Sequence, residues 1–157
     1  MSIALPVTVA SRQDVARLRT EVERYRAWIR QYKNALKRDI RYQNEQPALS
    51  DAATILIRQW LEANQTLDAL VDELARLTKT APSITLTLAG PAPASVQAQL
   101  VGWARSRLSE QMLVEFRWNA QILGGIVART DTSIYDWSHR QLLMASREKL
   151  VERLLHV

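Results

Sequence analysis

The chain has 157 residues and no cysteine, which excludes disulfide bonds, thiolate metal sites and cysteine nucleophiles. With 47% hydrophobic and 24% charged residues, it has the composition of a globular protein rather than of a disordered one. Its four glycines are too few for a glycine-rich phosphate loop, and no apolar run approaches the roughly 20 residues of a membrane span. We recognise no targeting segment and expect no membrane span.

The net charge of +5 is concentrated in one part of the sequence. Positions 12–41 hold ten basic and four acidic residues, a local balance of +6, while the other positions together sum to −1. The basic character therefore belongs to a single element, and the rest of the chain is nearly neutral.

This basic element is predicted to be one long helix over positions 12–41. Ser11 and Asp14 form a capping pair at its start. Its apolar residues alternate spacings of three and four: Val15, Leu18, Val22, Tyr25, Ile29, Tyr32 and Leu36. About 30 helical residues would reach about 45 Å. Trp28 and Tyr42 fall off this stripe, which predicts a second contact face.

Two shorter helices are predicted after Pro47. Ser50 and Asp51 begin the first, and Asn64 is predicted to cap the second. Their apolar faces are Ala53, Leu56, Ile57, Trp60 and Leu61, and then Leu67, Leu70, Val71, Leu74 and Leu77. Residues 1–80 are therefore predicted to form an all-helical module, in which the two shorter helices pack on the long one.

The pattern changes after Pro82. Positions 83–88 alternate with a period of two and are rich in β-branched residues, which predicts a strand with one buried face. After the break at Gly90–Pro93 a helix is predicted, with an apolar side made of Val96, Leu100, Trp103, Ala104 and Leu108. Further strands are predicted at positions 112–116, 126–130 and 134–135, the last two joined by a turn.

A final helix is predicted from about Ser138. Its apolar residues are Leu142, Leu143, Leu150, Val151 and Leu154. The predicted fold class is α+β and predominantly helical, with a helical module over 1–80 and a small βαβββα-like module over 81–157.

The sequence supplies no catalytic or metal-binding constellation. His139 and His156 stand at no recognised metal-ligand spacing. Asp131 and Asp136 flank the predicted hairpin, where aspartate serves local hydrogen bonds far more often than acid–base chemistry. The pair Gly124–Gly125 lacks the lysine and hydroxyl residue of a phosphate loop. We therefore expect a non-catalytic protein without a cofactor.

Two interpretations of the basic helix remain open at this point. Its cations, interleaved with aromatic residues, could follow a nucleic-acid backbone and stack on bases. The same residues could bind another protein, with arginines at acidic rims and aromatic rings in pockets. The cations are Arg24, Arg26, Arg30, Lys33, Lys37, Arg38 and Arg41, and the aromatic residues are Tyr25, Trp28, Tyr32 and Tyr42.

A more specific indication comes from positions 122–129, ILGGIVAR, followed by positions 134–142, IYDWSHRQL. This ordered set resembles the C-terminal region of the delta subunit of F-type ATP synthases, the family of the oligomycin sensitivity-conferring protein. In that family an apolar pair and Gly-Gly precede a strand, and a hairpin then leads to Asp-x-Ser-x-Arg at the last helix. The matching residues here are Leu123, Gly124, Gly125, Asp136, Ser138 and Arg140. The resemblance covers about positions 83–155, and the helical half matches less well.

The residue types of the signature have a physical explanation. Two glycines let a strand bend and another chain pass close, and Asp-x-Ser is suited to cap the final helix. The resemblance implies a non-catalytic peripheral-stalk subunit that ties the catalytic head to the stalk. It also implies that its partners are head subunits and stalk helices, and that it lies at the cytoplasmic face of the membrane, attached only through them. The sheet beside the two glycines and the last helix would then face the stalk.

The contact with the head is assigned to the long helix, at Tyr25, Trp28, Ile29 and Tyr32. The alternative for each of these side chains is an ordinary place in the core of the chain. Two other functions are kept beside the first. One is a nucleic-acid-binding adaptor built on the basic helix, and the other is a stalk subunit of a vacuolar-type ATPase, whose end domain has a similar strand and Gly-Gly order.

Overall fold

The computed structural model describes residues 3–140 together with residues 143, 144 and 146. The chain divides into two units, the first made of Met1–Pro82 with Ser109–Gln111 and the second of Ser83–Leu108 with Met112–Val157. In the first, the described regular elements are helices, and the second contains a mixed four-stranded sheet. The predicted α+β class, with a long helix first, is confirmed.

The long helix α1 comprises Arg12–Lys37 and begins as predicted. The Asp14 amide donates to the Ser11 hydroxyl at 3.2 Å, and the Asp14 carboxylate accepts the Ser11 amide at 3.0 Å. This reciprocal pair satisfies two amides that the first turn leaves without helical partners.

The predicted extension of α1 to position 41 is wrong, since the helix ends at Lys37 and is about 39 Å long. Asp39 adopts a left-handed conformation with φ of 54°. The Asp39 amide then donates to Leu36 O at 3.2 Å, and the Ile40 amide donates to Ala35 O at 3.0 Å. These two bonds form a Schellman motif, in which glycine is the usual left-handed residue. Because this position holds an aspartate and not a glycine, the sequence did not indicate that the helix ends here.

The next helices are α2, Asp51–Glu62, and α3, Leu67–Thr80. Ser50 caps α2 as predicted, whereas α3 is capped by Thr66 and not by Asn64. Asn64 has φ of 56° and instead closes α2, with the Gln65 amide donating to Trp60 O at 3.2 Å. Asparagine tolerates the left-handed conformation well, which explains its place after a helix rather than before one.

The core of the first unit is built from the predicted apolar faces. The buried side chains of its helices are Val15, Leu18, Val22, Ala53, Leu56, Ile57, Trp60, Leu67, Leu70, Val71, Leu74 and Leu77. Leu61 was placed on the apolar face of α2 but is exposed, and so are Tyr32 and Leu36 of α1. The apolar stripe of α1 is therefore buried only in the first half of the helix.

The lengths of the helices explain why the stripe of α1 is only partly covered. Arg12 donates to Thr78 O at 3.2 Å, near the end of α3, whereas Arg26 contacts the Asp68 carboxylate at 2.8 Å, near its start. The two helices are therefore antiparallel. Because α1 has 26 residues and α3 has 14, the last turns of α1 run past the first turn of α3.

The second unit contains β1, Ser83–Leu88, α4, Ala94–Arg107, β2, Leu113–Trp118, β3, Gly125–Arg129, and β4, Ile134–Ser138, with a short 3₁₀ helix at Ala120–Ile122. The sheet order is β2-β1-β3-β4. The pair β1–β2 is parallel, and the pairs β1–β3 and β3–β4 are antiparallel. The predicted order of elements is confirmed, although β2 and β4 extend further than the sequence indicated.

Alternation along the strands gives the sheet two different faces. One face is apolar, with Ile84, Leu86, Val114 and Ala128 buried. The buried residues of α4 are Val101 and Ala104, whereas Val96, Trp103 and Leu108, placed on its apolar side by the sequence, are exposed. The helix and the burial of Ala104 are as predicted, but the predicted apolar side was wrong at these three positions. The apolar residues of α4 are spread around the helix, so that periodicity did not identify the packed side.

A helix follows β4, as the sequence predicts. The described residues His139, Arg140, Leu143, Met144 and Ser146 are helical. Leu142, Leu150, Val151, Leu154 and His156 lie outside the described residues. Within the part of the chain that the structure describes, no helix is long and apolar enough to cross a membrane.

Leu74→Ala should lower the free energy of unfolding by about 2–5 kcal/mol, because the Leu74 side chain is fully buried and its loss leaves a cavity. The matched control is Leu36→Ala, which removes the same atoms from a side chain that is 59% exposed, and its effect should be within about 0.5 kcal/mol. Urea denaturation measures both. An equal loss for the two variants would contradict this assignment of the core.

Candidate functional site

The residues of the Gly-Gly signature meet at one place in the second unit. Gly125 pairs with Ser138 across the antiparallel β3–β4 ladder. The His139 amide donates to Gly124 O at 3.0 Å, one step beyond that pair. We call this cluster the glycine corner and define it as Leu123, Gly124, Gly125, Asp136, Ser138 and His139. Two segments more than ten positions apart in sequence thus form one structural feature.

Both glycines of the corner are required by its geometry. Gly124 has φ of 114° and Gly125 has φ of 81°, values that residues with a side chain rarely adopt. A Cβ on Gly125 would overlap the carbonyl oxygen of Trp137 and lie 2.9 Å from the Ser138 Cα. A Cβ on Gly124 would lie 2.8 Å from Nδ1 of His139. The glycines therefore allow β4 of the same chain to approach closely, whereas the sequence predicted that another chain would make the close approach.

Leu123 enters the corner in a strained conformation. Its φ is 58°, and its amide donates to Ala120 O at 3.3 Å, closing the 3₁₀ helix. A left-handed conformation costs a residue with a Cβ about 1–2 kcal/mol. The side chain is 61% exposed, so burial offsets little of this cost. Strain of this kind is one feature of functional sites, and the assignment of Leu123 as an interface residue stays a prediction.

Asp136 and Ser138 are brought together at the end of β4. Oδ1 of Asp136 accepts the Ser138 amide at 2.8 Å, which forms a local turn. The Ser138 hydroxyl and amide beside this carboxylate lower the pKa of Asp136, helped by the charge of Arg140. Ser138 is buried, and its hydroxyl does not reach full hydrogen-bond geometry with any described residue. The predicted capping role of that hydroxyl involves the amide of Gln141, which lies outside the described residues.

Exposed apolar side chains continue from the corner along β4. Trp137 is 60% exposed, and its ring stacks on Tyr135 with centroids 5.8 Å apart. On the same face, a groove of about 250 Å³ lies between α4 and the sheet, lined by Leu86, Leu100, Trp103, Ile126 and Trp137. Neither Trp103 nor Trp137 is among the site residues that the sequence predicts. The position of Trp137 between Asp136 and Ser138 was the signal that could have identified it.

The four predicted head-contact residues also lie together, on α1. Trp28 stacks between Tyr25 and Tyr32, with ring centroids 6.0 and 5.3 Å away. Tyr42, from the segment after α1, meets Trp28 edge-on at 6.3 Å, and Nε1 of Trp28 donates to Asn44 O at 3.1 Å. The second contact face of α1 is thus confirmed, and it holds the chain that follows the helix.

Exposure differs among these residues. Tyr25, Trp28 and Ile29 are half-buried, whereas Tyr32 is exposed. The stacked aromatic rings therefore form an intramolecular cluster with one open end at Tyr32.

The seven cations predicted for the basic surface fall into two groups. Arg26 and Arg30 both bind the Asp68 carboxylate, at 2.8 and 2.7 Å, and so fasten α1 to α3. The other five have no ion pair with any residue that the structure describes; they are Arg24, Lys33, Lys37, Arg38 and Arg41. Most of the predicted basic surface is therefore not neutralised by the described residues.

No group of three or more His, Asp or Glu side chains within the described residues could hold a metal ion. Arg140 and His139 are both exposed at the corner. The corner and its groove together form a partly apolar, exposed surface in the second unit.

Gly125→Ala should lower the free energy of unfolding by about 2 kcal/mol or more, because the new Cβ would overlap the backbone of β4 at an unfavourable φ. Gly90→Ala is the matched control, since a Cβ there meets nothing within 4 Å, and it should be nearly neutral. Thermal or urea denaturation distinguishes them. If Gly125→Ala were as stable as Gly90→Ala, the close approach of β4 would be refuted.

The lowered pKa of Asp136 has a pH-dependent consequence. The ionised carboxylate stabilises the folded state above the ordinary pKa of aspartate, and this contribution is lost as pH falls through the lower folded-state pKa. The difference in urea midpoint between the wild type and Asp136→Ala should therefore shrink between about pH 6 and about pH 2. Asp131→Ala is the control. A difference that grows on acidification would contradict the assigned hydrogen bond.

The comparisons with known proteins give no family for this chain. No protein-family model matches it, and no curated protein matches it with significance.

Proposed function

We propose that the chain is a non-catalytic peripheral-stalk subunit of a rotary F-type ATP synthase, linking the catalytic head to the stalk. One observation carries the proposal. The residues on which the resemblance to the delta subunit depends converge on the glycine corner, where the backbone requires glycine at Gly124 and Gly125.

The convergence is informative because a Gly-Gly pair alone is common. If the residues matched the signature only by chance, they would not be expected to lie next to each other in the structure. Here Gly125 pairs with Ser138, and the Asp136 carboxylate fixes the Ser138 amide. The order of elements along the chain, β1-α4-β2-β3-β4, also supports the resemblance, since it is the order that the signature implies.

A stator subunit has a mechanical task, to hold two partners so that the head does not turn with the rotor. The exposed Trp103 and Trp137, with the apolar groove between them, fit a helix of the stalk by the helix-in-groove mode. Large exposed aromatic residues are typical of the energetically dominant positions of interfaces. In the first unit, the open end of the aromatic cluster at Tyr32 and the unpaired cations beside it are the surface for the head.

The alternative of a nucleic-acid adaptor draws less support from the geometry of α1. Stacking on bases needs free ring faces. Trp28 uses its ring against Tyr25 and Tyr32, and its indole nitrogen bonds Asn44 O. A base would therefore have to displace contacts that already exist.

The direct experiment is a pull-down of the tagged full chain from gently solubilised native membranes, followed by mass spectrometry. We expect catalytic-head and stalk subunits in stoichiometric amounts, retained at moderate salt because the contacts are partly apolar. Nucleic acid that is lost at moderate salt, recovered without ATP synthase subunits, would contradict the proposal and favour the adaptor.

Substitution of Leu123 separates folding from partner binding. Leu123→Asn should raise the free energy of unfolding by about 0.5–1 kcal/mol, because asparagine adopts a left-handed conformation more readily. The same variant should recover fewer stalk subunits in the pull-down, because the exposed leucine side chain is gone. Leu123→Ala is the control at the same position; it should lose binding without gaining stability. Unchanged recovery in both variants would remove Leu123 from the interface.

A further inference from the structure

The face of the sheet opposite the apolar one carries a polar pocket that the proposed function does not use. It has a volume of about 330 Å³ and is lined by Thr85, Thr87, Arg117, Asn119, Ile122, Val127 and Arg129. The lining residues come from β1, β2, β3 and the 3₁₀ helix, all in the second unit. The pocket therefore lies within one unit and on a regular scaffold, which holds its side chains at fixed separations.

Strand register explains how the pocket is assembled. Thr87 of β1 stands beside Arg117 of β2 on one side and Val127 of β3 on the other. Two residues along β1, Thr85 stands beside Arg129 of β3. Neighbours across a sheet have Cβ atoms about 4.5–5.5 Å apart. The two arginines thus flank a pair of threonines from opposite sides.

The pocket is rich in hydrogen-bond donors that the described residues leave unused. Thr85, Thr87 and Arg129 have no side-chain hydrogen bond or ion pair within the described part of the chain. Asn119 uses its Oδ1 to accept the Gln121 amide at 3.0 Å, which leaves its amide group to donate. Two guanidinium groups, two hydroxyls and one amide therefore converge on the same space.

The charge balance of the pocket is positive. Among the described residues, its lining carries two arginines and no acidic residue. Glu115 lies beside Thr85 in register, and its carboxylate is 3.8 Å from Arg117, a long and solvated ion pair. Asp136 lies beside Val127 in register, but its carboxylate is engaged by the Ser138 amide. Neither acid occupies the space between the two arginines.

We propose that this pocket binds an oxyanion, and specifically the phosphate group of a small molecule. A phosphate dianion matches the two guanidinium charges, and its oxygens accept bonds from the flanking hydroxyls and amide as well. Ile122 and Val127 give the pocket an apolar side against which a small body attached to the phosphate can pack. This inference is independent of the stator role, so that either can fail without the other.

The test is an NMR titration of the isotopically labelled full chain with inorganic phosphate at constant ionic strength. We expect saturable shifts confined to the residues of the pocket, with Thr87 among them. Arg129→Gln should weaken the binding by about tenfold, since a charged hydrogen bond is lost. Thr87→Val, which keeps the shape and removes the hydroxyl, should weaken it by a smaller factor.

Arg107→Gln is the matched control, because it removes the same charge from an exposed position of α4 in the same unit. It should leave the affinity unchanged. If Arg107→Gln weakened the binding as much as Arg129→Gln, the effect would come from the net charge alone, and the proposal would be overturned. The absence of saturable shifts would overturn it as well. A parallel titration with acetate tests the ligand class, and affinity equal to that for phosphate would overturn the assignment of phosphate.

Discussion

The close approach of β4 to Gly125 is the constraint on which the second unit depends. The backbone of Trp137 and Ser138 occupies the space that any side chain at Gly125 would need. This contact lets β4 complete the sheet beside β3, and it places Trp137 and Tyr135 on the outer strand, where they remain exposed. A requirement of packing thus also determines which aromatic side chains are exposed, and the proposed interface uses the same few residues.

In the first unit, aromatic and charged residues remain uncovered for a different reason. The helix α1 is nearly twice as long as α3, so its last turns lack a covering helix. The aromatic cluster around Trp28 covers part of this end with the chain's own following segment, and Lys33 and Lys37 at the same end form no ion pair with a described residue. In both units, elements that the core does not cover provide exposed aromatic residues and charge, which are the features that the proposed stator role would use.

The sequence predicted most elements because hydrophobic periodicity and the residues that end elements agreed. The prediction failed where a residue other than glycine adopts the left-handed conformation that ends a helix, as Asp39 and Asn64 do. It also failed for α4, whose apolar residues do not favour one side strongly enough to identify the packed face. The glycine corner could be predicted from the signature, whereas the polar pocket could not, because its residues come from four elements that only register brings together.

The most direct test of this account is amide hydrogen exchange of the full chain in solution, followed at the His139 amide. That amide donates to Gly124 O at 3.0 Å only if β4 passes over the glycine corner as described. The account predicts exchange as slow as that of the Ala128 amide, in the middle of the central strand β3. Exchange of the His139 amide at the rate of an unstructured peptide, with Ala128 still protected, would contradict it.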